Sequence, residues 1–172
     1  MKNYRCILAG LALLFAFATQ VQAAPVLDQP APAFTARLLN GQTISSAQLQ
    51  NKVVILNIWA SWCGPCRAEM PVIDAFYKAH RQEGVEVVAI SMDDRKDLAE
   101  VQKIAGQFSF PIAWKIGSNI DGYGKIWRIP LTFIIDRQGI LRRNGFEGSP
   151  TVTMDELNRV VLPLLQQKDL KS

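Results

Sequence analysis

Two cysteines separated by two residues, set where an apolar strand gives way to a helix, constrain this chain more than any other feature. Val53-Val54-Ile55-Leu56-Asn57-Ile58 reads as a buried β-strand. Trp59-Ala60-Ser61-Trp62-Cys63-Gly64-Pro65-Cys66 follows, and residues 67–81 read as a helix. The first turn of a helix has backbone N–H groups without intrahelical partners, and the helix dipole is positive there. A thiolate at Cys63 is stabilised by both, which lowers its pKa and raises its reactive fraction near neutral pH. The spacing brings Cys66 within bonding reach of Cys63. Pro65 stiffens the turn and suits an early helical position, where its missing N–H costs nothing.

A zinc half-site and a purely structural disulfide are the competing readings. Zinc of this type takes four ligands. The remaining cysteine is Cys6 and the one histidine is His80, which do not complete a tetrahedral site within one chain. A structural disulfide usually staples a longer loop, because a short one constrains the unfolded chain little. The pattern therefore favours a redox pair, with no metal and no cofactor expected. His80, near the end of the helix, reads as a surface residue beside the C-terminal dipole.

At 172 residues the chain fits one domain. Its net charge is +4, of which Lys2 and Arg5 supply two. The remainder is too small to argue for a nucleic-acid partner. Residues 1–23 read as a secretory signal: a basic start, an apolar run from Ile7 to Ala18, and Val21-Gln22-Ala23 as a cleavage site. The apolar run falls short of the about 20 residues that a membrane span needs, so an uncleaved N-terminal anchor is the secondary reading. Either way the folded part is exported. Cleavage would leave Cys63 and Cys66 as the sole thiols, which suits an oxidising compartment.

Residues 24–33 contain Pro25, Pro30 and Pro32 and read as an extended, mobile lead-in. Residues 34–168 form the folded domain. Asn40-Gly41 between two alternating segments predicts a hairpin in which both turn residues take φ > 0. Ser45 or Ser46 can cap a short turn through Gln50. Pro71 is expected to kink the cysteine-bearing helix, and Gly84 to end it. Val85 to Ser91 is a second strand. Asp93 and Asp94 are expected to cap a helix reaching about Phe108. Phe110 to Ile116 is a short added strand, and a brief helix falls near Tyr123. Leu131 to Ile135 and Ile140 to Asn144 form a hairpin. A terminal helix starts at Thr151 or Thr153 and is interrupted or kinked near Pro163. The order gives an α/β fold: a central mixed β-sheet with helices on both faces, an N-terminal β-hairpin and a central αβ insert.

Trp62-Cys63-Gly64-Pro65-Cys66 resembles the active site of the thioredoxin superfamily. The hairpin, the insert around residues 94–116, Glu69-Met70-Pro71, and Pro130-x-Thr132-Phe133 followed by Asp136-x-x-Gly139 resemble its exported TlpA/ResA-like branch, related to DsbE and CcmG. This resemblance covers about residues 30–165 and implies a thioredoxin-like fold. It also implies a redox disulfide Cys63–Cys66 and a thiol–disulfide oxidoreductase, a periplasmic reductase of disulfides in exported proteins. Apocytochrome c is one client that the resemblance implies. A membrane electron donor of the DsbD or CcdA type would re-reduce a monomeric enzyme. Pro130 matches the family's cis-proline, which exposes the backbone of Ile129 for pairing with an extended substrate. Trp62, Gly64, Pro65, Ile129 and Pro130 are the implied substrate-binding residues. Trp59 reads as core, Trp62 as exposed.

Asn57 departs from the pattern, because many relatives carry a titratable aspartate there. Glu69 lies one turn beyond Cys66, on the same helix face. It is therefore the candidate to tune the cysteines and relay the proton of Cys66. Its alternative is a solvated surface glutamate. A disulfide-introducing oxidase or isomerase and a thiol peroxidase are the other enzymatic readings; Ser61-Trp62-Cys63 lacks the upstream threonine of the latter. A copper or haem chaperone using Met70 beside the cysteines is the non-enzymatic one.

Overall fold

The computed structural model describes residues 24–167. Residues 1–23, read above as a secretory signal and containing Cys6, lie outside the described residues, as do residues 168–172. A seven-stranded sheet runs through the domain in the order β2 (Thr43–Ser45), β1 (Thr35–Leu38), β5 (Ile112–Asn119), β4 (Val85–Ser91), β3 (Val53–Trp59), β6 (Leu131–Ile135), β7 (Leu141–Arg143). At its centre β3 (Val53–Trp59) pairs in parallel with β4 (Val85–Ser91) and antiparallel with β6 (Leu131–Ile135). All seven residues of β3 are buried. A strand covered on both faces needs a near-continuous apolar run, which is what its sequence supplies. Asn57 is the exception.

α1 (Gly64–His80) connects β3 to β4, and α2 (Leu98–Ala105) connects β4 to β5 (Ile112–Asn119). Both crossovers step the same way across the sheet, so right-handed connections place both helices over one face. α3 (Met154–Gln166) joins them there. Met70 and Phe76 of α1, Val101 and Ile104 of α2, and Leu157 and Val161 of α3 share one core with Val53, Ile55 and Ile134. The alternate residues Val54, Leu56 and Ile58 point into a second core with Phe34, Tyr123 and Phe133. Among the described residues no α-helix contributes buried side chains to that second layer. Helices on both faces are thus realised only in a reduced form: 3-10 turns at Ser46–Leu49 and Asp121–Tyr123 serve the second face.

The N-terminal hairpin, β1 (Thr35–Leu38) and β2 (Thr43–Ser45), attaches through β5, which lies antiparallel to β1. Its turn differs from expectation. Gly41 has φ +89°, whereas Asn40 keeps a negative φ. The Gly41 N–H donates to Leu38 O, and the Leu38 N–H to Gln42 O, so a three-residue loop with one left-handed glycine closes the hairpin. The lead-in is also more ordered than expected. N–H groups of Asp28 and Ala31 donate to Leu141 and Gly139, and the Asp28 carboxylate pairs with Arg142 at 2.6 Å. Residues 28–31 thereby cover the free edge of β7 (Leu141–Arg143).

Three further helix expectations are corrected. α1 begins at Gly64 rather than Arg67 and includes Cys66. α2 stops at Ala105, ended by Gly106, and starts only after a 3-10 turn at Arg95–Asp97. Asp93 does not cap it, because its carboxylate is turned inward; Asp94 pairs with Lys115 at 2.7 Å. α3 continues through Pro163 because Leu157, Val161 and Leu164 hold it on the sheet despite one lost backbone bond.

Gly145, after β7, lies tight against the strand that borders the cysteines. A Cβ there would fall 2.9 Å from the Thr132 backbone nitrogen and 3.1 Å from the Leu131 Cβ. Gly145→Ala should cost about 1–3 kcal/mol, as overpacking does. Urea denaturation checks this, and an unchanged midpoint and slope would contradict the packing described.

Candidate active site

Cys63 is the N-cap of α1, with extended backbone dihedrals of φ −86° and ψ 102°. Its Sγ takes the place that a serine or aspartate oxygen usually fills, accepting the Cys66 N–H at 3.2 Å. Pro65 occupies the first turn, where it forfeits no bond. The two cysteines are joined in a disulfide with Cα atoms 5.3 Å apart. Cys66 is wholly buried, whereas Cys63 keeps 6% of its surface. Gly64 and Pro65 are exposed, and Trp62 is 68% exposed beside the outer sulfur. Trp59 is core, as is Met70, so Met70 offers no open ligand position beside the cysteines.

The second wall comes from the approach to β6. Ile58 pairs with Leu131, so the end of β3 and the start of β6, which Pro130 precedes, lie side by side. The Ile129–Pro130 bond is cis. Ile129 is half-buried against the core layer that contains both cysteines. Trp127, which the sequence reading passed over, is 68% exposed; its ring stacks 6.4 Å from Phe146, with the Arg128 guanidinium 5.3 Å from its centroid. The signal for it was an aromatic two residues before Ile129.

Glu69 is not a surface glutamate. It is 2% exposed and lies at the meeting of four elements. Oε1 accepts from Asn57 Nδ2 at 2.7 Å and from Thr132 Oγ1 at 3.3 Å, and Oε2 accepts from the Val152 N–H at 2.9 Å. Asn57 Nδ2 also donates to Thr132 Oγ1 at 2.9 Å, while Asn57 Oδ1 finds no partner among the described residues. Burial raises the Glu69 pKa above its ordinary 4.5; the donors from Val152, Asn57 and Thr132 and the charge of Arg143 oppose this but do not cancel it. Arg143 is itself fixed by Glu156 at 2.8 Å and by the carbonyls of Thr132 and Ser149. Cys66, Glu69 and Met70 thus share the buried side of α1. His80 lies apart from the site, its ring 4.5 Å from Phe76 and its Nδ1 3.1 Å from Glu83.

Sequence reasoning placed Asn57 and Glu69 but missed Thr132, Val152 and Arg143 as their neighbours. A threonine inside the apolar run of β6, across from Asn57 in an adjacent strand, was the available clue.

The AhpC/TSA family profile matches residues 27–144. The thiol-disulfide oxidoreductase ResA of Bacillus thuringiensis (strain Al Hakam) is 35% identical over 115 residues, 66% of this chain and 65% of that protein. The match to this first relative therefore spans just under two thirds of its length. ResA of Geobacillus kaustophilus is 30% identical over 136 residues, 78% of this chain and 76% of the relative. Among solved structures, a thiol:disulfide interchange protein of the thioredoxin family from Chlorobium tepidum TLS superposes with a TM-score of 0.65 at 26% identity, covering 83% of this chain and 99% of the other.

A raised folded-state pKa means that the fold favours neutral Glu69. That contribution is present below the ordinary value of 4.5 and is lost as pH rises through the folded value. Glu69→Gln resembles the neutral acid, so its stability relative to wild type should rise with pH across this window and level off above it. Thermal melts of the oxidised proteins from pH 4 to pH 8 (about the range that brackets such a shift) check the sign. A difference independent of pH would contradict it.

Proposed function

The chain belongs to the AhpC/TSA family, and we propose that it acts as a thiol–disulfide oxidoreductase that reduces disulfides in extracytoplasmic proteins. The observation that carries this reading is the Cys63–Cys66 disulfide at the N-terminus of α1, its outer sulfur next to an exposed Trp62 and its inner sulfur wholly buried. Its partial exposure supports Cys63 as the attacking sulfur, and its burial supports Cys66 as the resolving one.

In the proposed cycle the Cys63 thiolate attacks one sulfur of a client disulfide, forming a mixed disulfide and releasing the client's other sulfur as a thiolate. The thiol of Cys66 then loses its proton and attacks Sγ of Cys63. The Cys63–Cys66 bond closes, the client leaves with both sulfurs reduced, and two electrons have passed from the pair to the client. Glu69, on the buried side of α1 one turn beyond Cys66, is the proposed acceptor of that proton, since its raised pKa brings a carboxylate closer to the range useful for proton transfer. Trp62, Gly64, Pro65, Ile129 and Pro130 form the proposed client-binding rim.

Residues 1–23 support a periplasmic location through their signal-like pattern. Re-reduction falls to a membrane donor of the DsbD or CcdA type, and apocytochrome c is the client we put forward. Both follow from the resemblance to the TlpA/ResA-like branch.

Trapping tests the assignment of the two sulfurs. Cys66→Ser should accumulate a mixed disulfide with a disulfide-bonded client such as insulin, and Cys63→Ser should form none. Insulin reduction by Cys63→Ser at the wild-type rate would overturn the proposal, as would rapid turnover of hydrogen peroxide by wild type with no activity on insulin.

A further inference from the structure

One buried carboxylate near the cysteines is left unused by this cycle. Asp93 follows β4 and is completely inaccessible. Among the described residues it forms no salt bridge. Its Oδ2 accepts the Ser61 N–H at 2.9 Å and the Ser91 hydroxyl at 2.6 Å, and its Oδ1 accepts the Ser61 hydroxyl at 2.6 Å. Ser61 is two residues ahead of Cys63. We propose that Asp93 is a positioning residue for Cys63, holding the segment 60–62 so that the outer sulfur stays on the N-terminus of α1; this rests on the oxidoreductase reading above only for its consequence in turnover.

The tether is fixed at both ends. Asp93's own carbonyl accepts the Trp114 indole N–H at 2.9 Å from β5, and its N–H donates to Ser91 Oγ at 3.1 Å. One residue earlier, the Met92 N–H donates to Trp59 O at 2.8 Å. The end of β4 thus grips the loop at Trp59 and at Ser61. From that grip the chain turns once, the Cys63 N–H donating to Ala60 O at 3.1 Å, and delivers Sγ to the Cys66 N–H. A hydrogen bond to a carboxylate is shorter and stronger than its neutral counterpart. Two of them fall on one loop residue, Ser61, and the third ties the carboxylate to Ser91 at the end of β4.

The chemical consequence concerns the reduced protein. A thiolate at Cys63 gains from the free N–H groups and dipole of α1 only while Sγ stays over the helix axis. Releasing Ser61 lets the loop drift and forfeits part of that gain. The thiol is then favoured over the thiolate, and the disulfide over the dithiol. An asparagine at position 93 whose oxygen takes the Oδ2 place keeps the Ser61 N–H and the Ser91 hydroxyl, and its NH2 then meets Ser61 Oγ, which accepts as readily as it donates. Geometry rather than charge should therefore decide the outcome.

The test measures alkylation of Cys63 by iodoacetamide against pH in the reduced full-length protein, with Asp93→Ala, Asp93→Asn and Ser61→Ala compared with wild type. Asp93→Ala should move the midpoint of thiolate formation upward by about one pH unit, an about tenfold loss of reactivity at neutral pH. Asp93→Asn should stay within about twofold of wild type, and Ser61→Ala, which keeps the backbone bond, should fall between. If Asp93→Ala does not fold, Ser61→Ala alone decides. A wild-type profile for a folded Asp93→Ala or for Ser61→Ala overturns the proposal, and so does an Asp93→Asn profile as shifted as that of Asp93→Ala. Alkylation needs no client, so failure of insulin reduction with these shifts intact would reject the oxidoreductase reading and leave the tether standing.

Discussion

The N–H of Cys66 meeting the sulfur of Cys63 at 3.2 Å is the contact on which the rest of the site depends. It makes a sulfur the cap of a 17-residue helix, and it fixes which cysteine is partly open and which is closed. The geometry follows from β3. Because that strand is buried along its whole length, its end point is set by pairing on both sides. The loop that leaves it has four residues in which to turn into α1.

A polar cluster behind the sulfurs is the other half of the arrangement. Burying Glu69 is costly unless its oxygens are satisfied, and three donors from β3, β6 and the segment before α3 supply that. The Asn57 amide spends one hydrogen-bearing nitrogen on two acceptors and leaves its oxygen bare among the described residues. Such a cluster adds little net stability compared with apolar packing. The place of Glu69 on the same helix face as Cys66 fits the proposed role in proton transfer, and the penalty on the charged form keeps the carboxyl ready to take up a proton.

How much was legible depended on how local the cause was. The central strand announced itself through Val53 to Ile58, and the hairpin through Asn40-Gly41, although only Gly41 needed the left-handed backbone. The cysteine pair, the exposure of Trp62 and the burial of Trp59 were readable from a dozen consecutive residues. Long-range partners were not. The Val152 N–H reaches Glu69 across 83 positions, and nothing in either segment announces the other. Asp93 looked like a helix cap because aspartates before a helical pattern usually are. Its inward turn becomes visible only when β4 and the Ser61 loop are side by side. The lead-in looked mobile because prolines rarely pair, yet residues 28–31 use the free N–H groups between them to cover β7.

The reduction potential of the Cys63–Cys66 couple, measured by equilibrating the protein with glutathione or dithiothreitol buffers, tests the central claim most directly. A reductase built on this site should give a value near that of thioredoxin, about −270 mV. A value near about −120 mV, the range of a strong disulfide-introducing oxidant, would contradict the account.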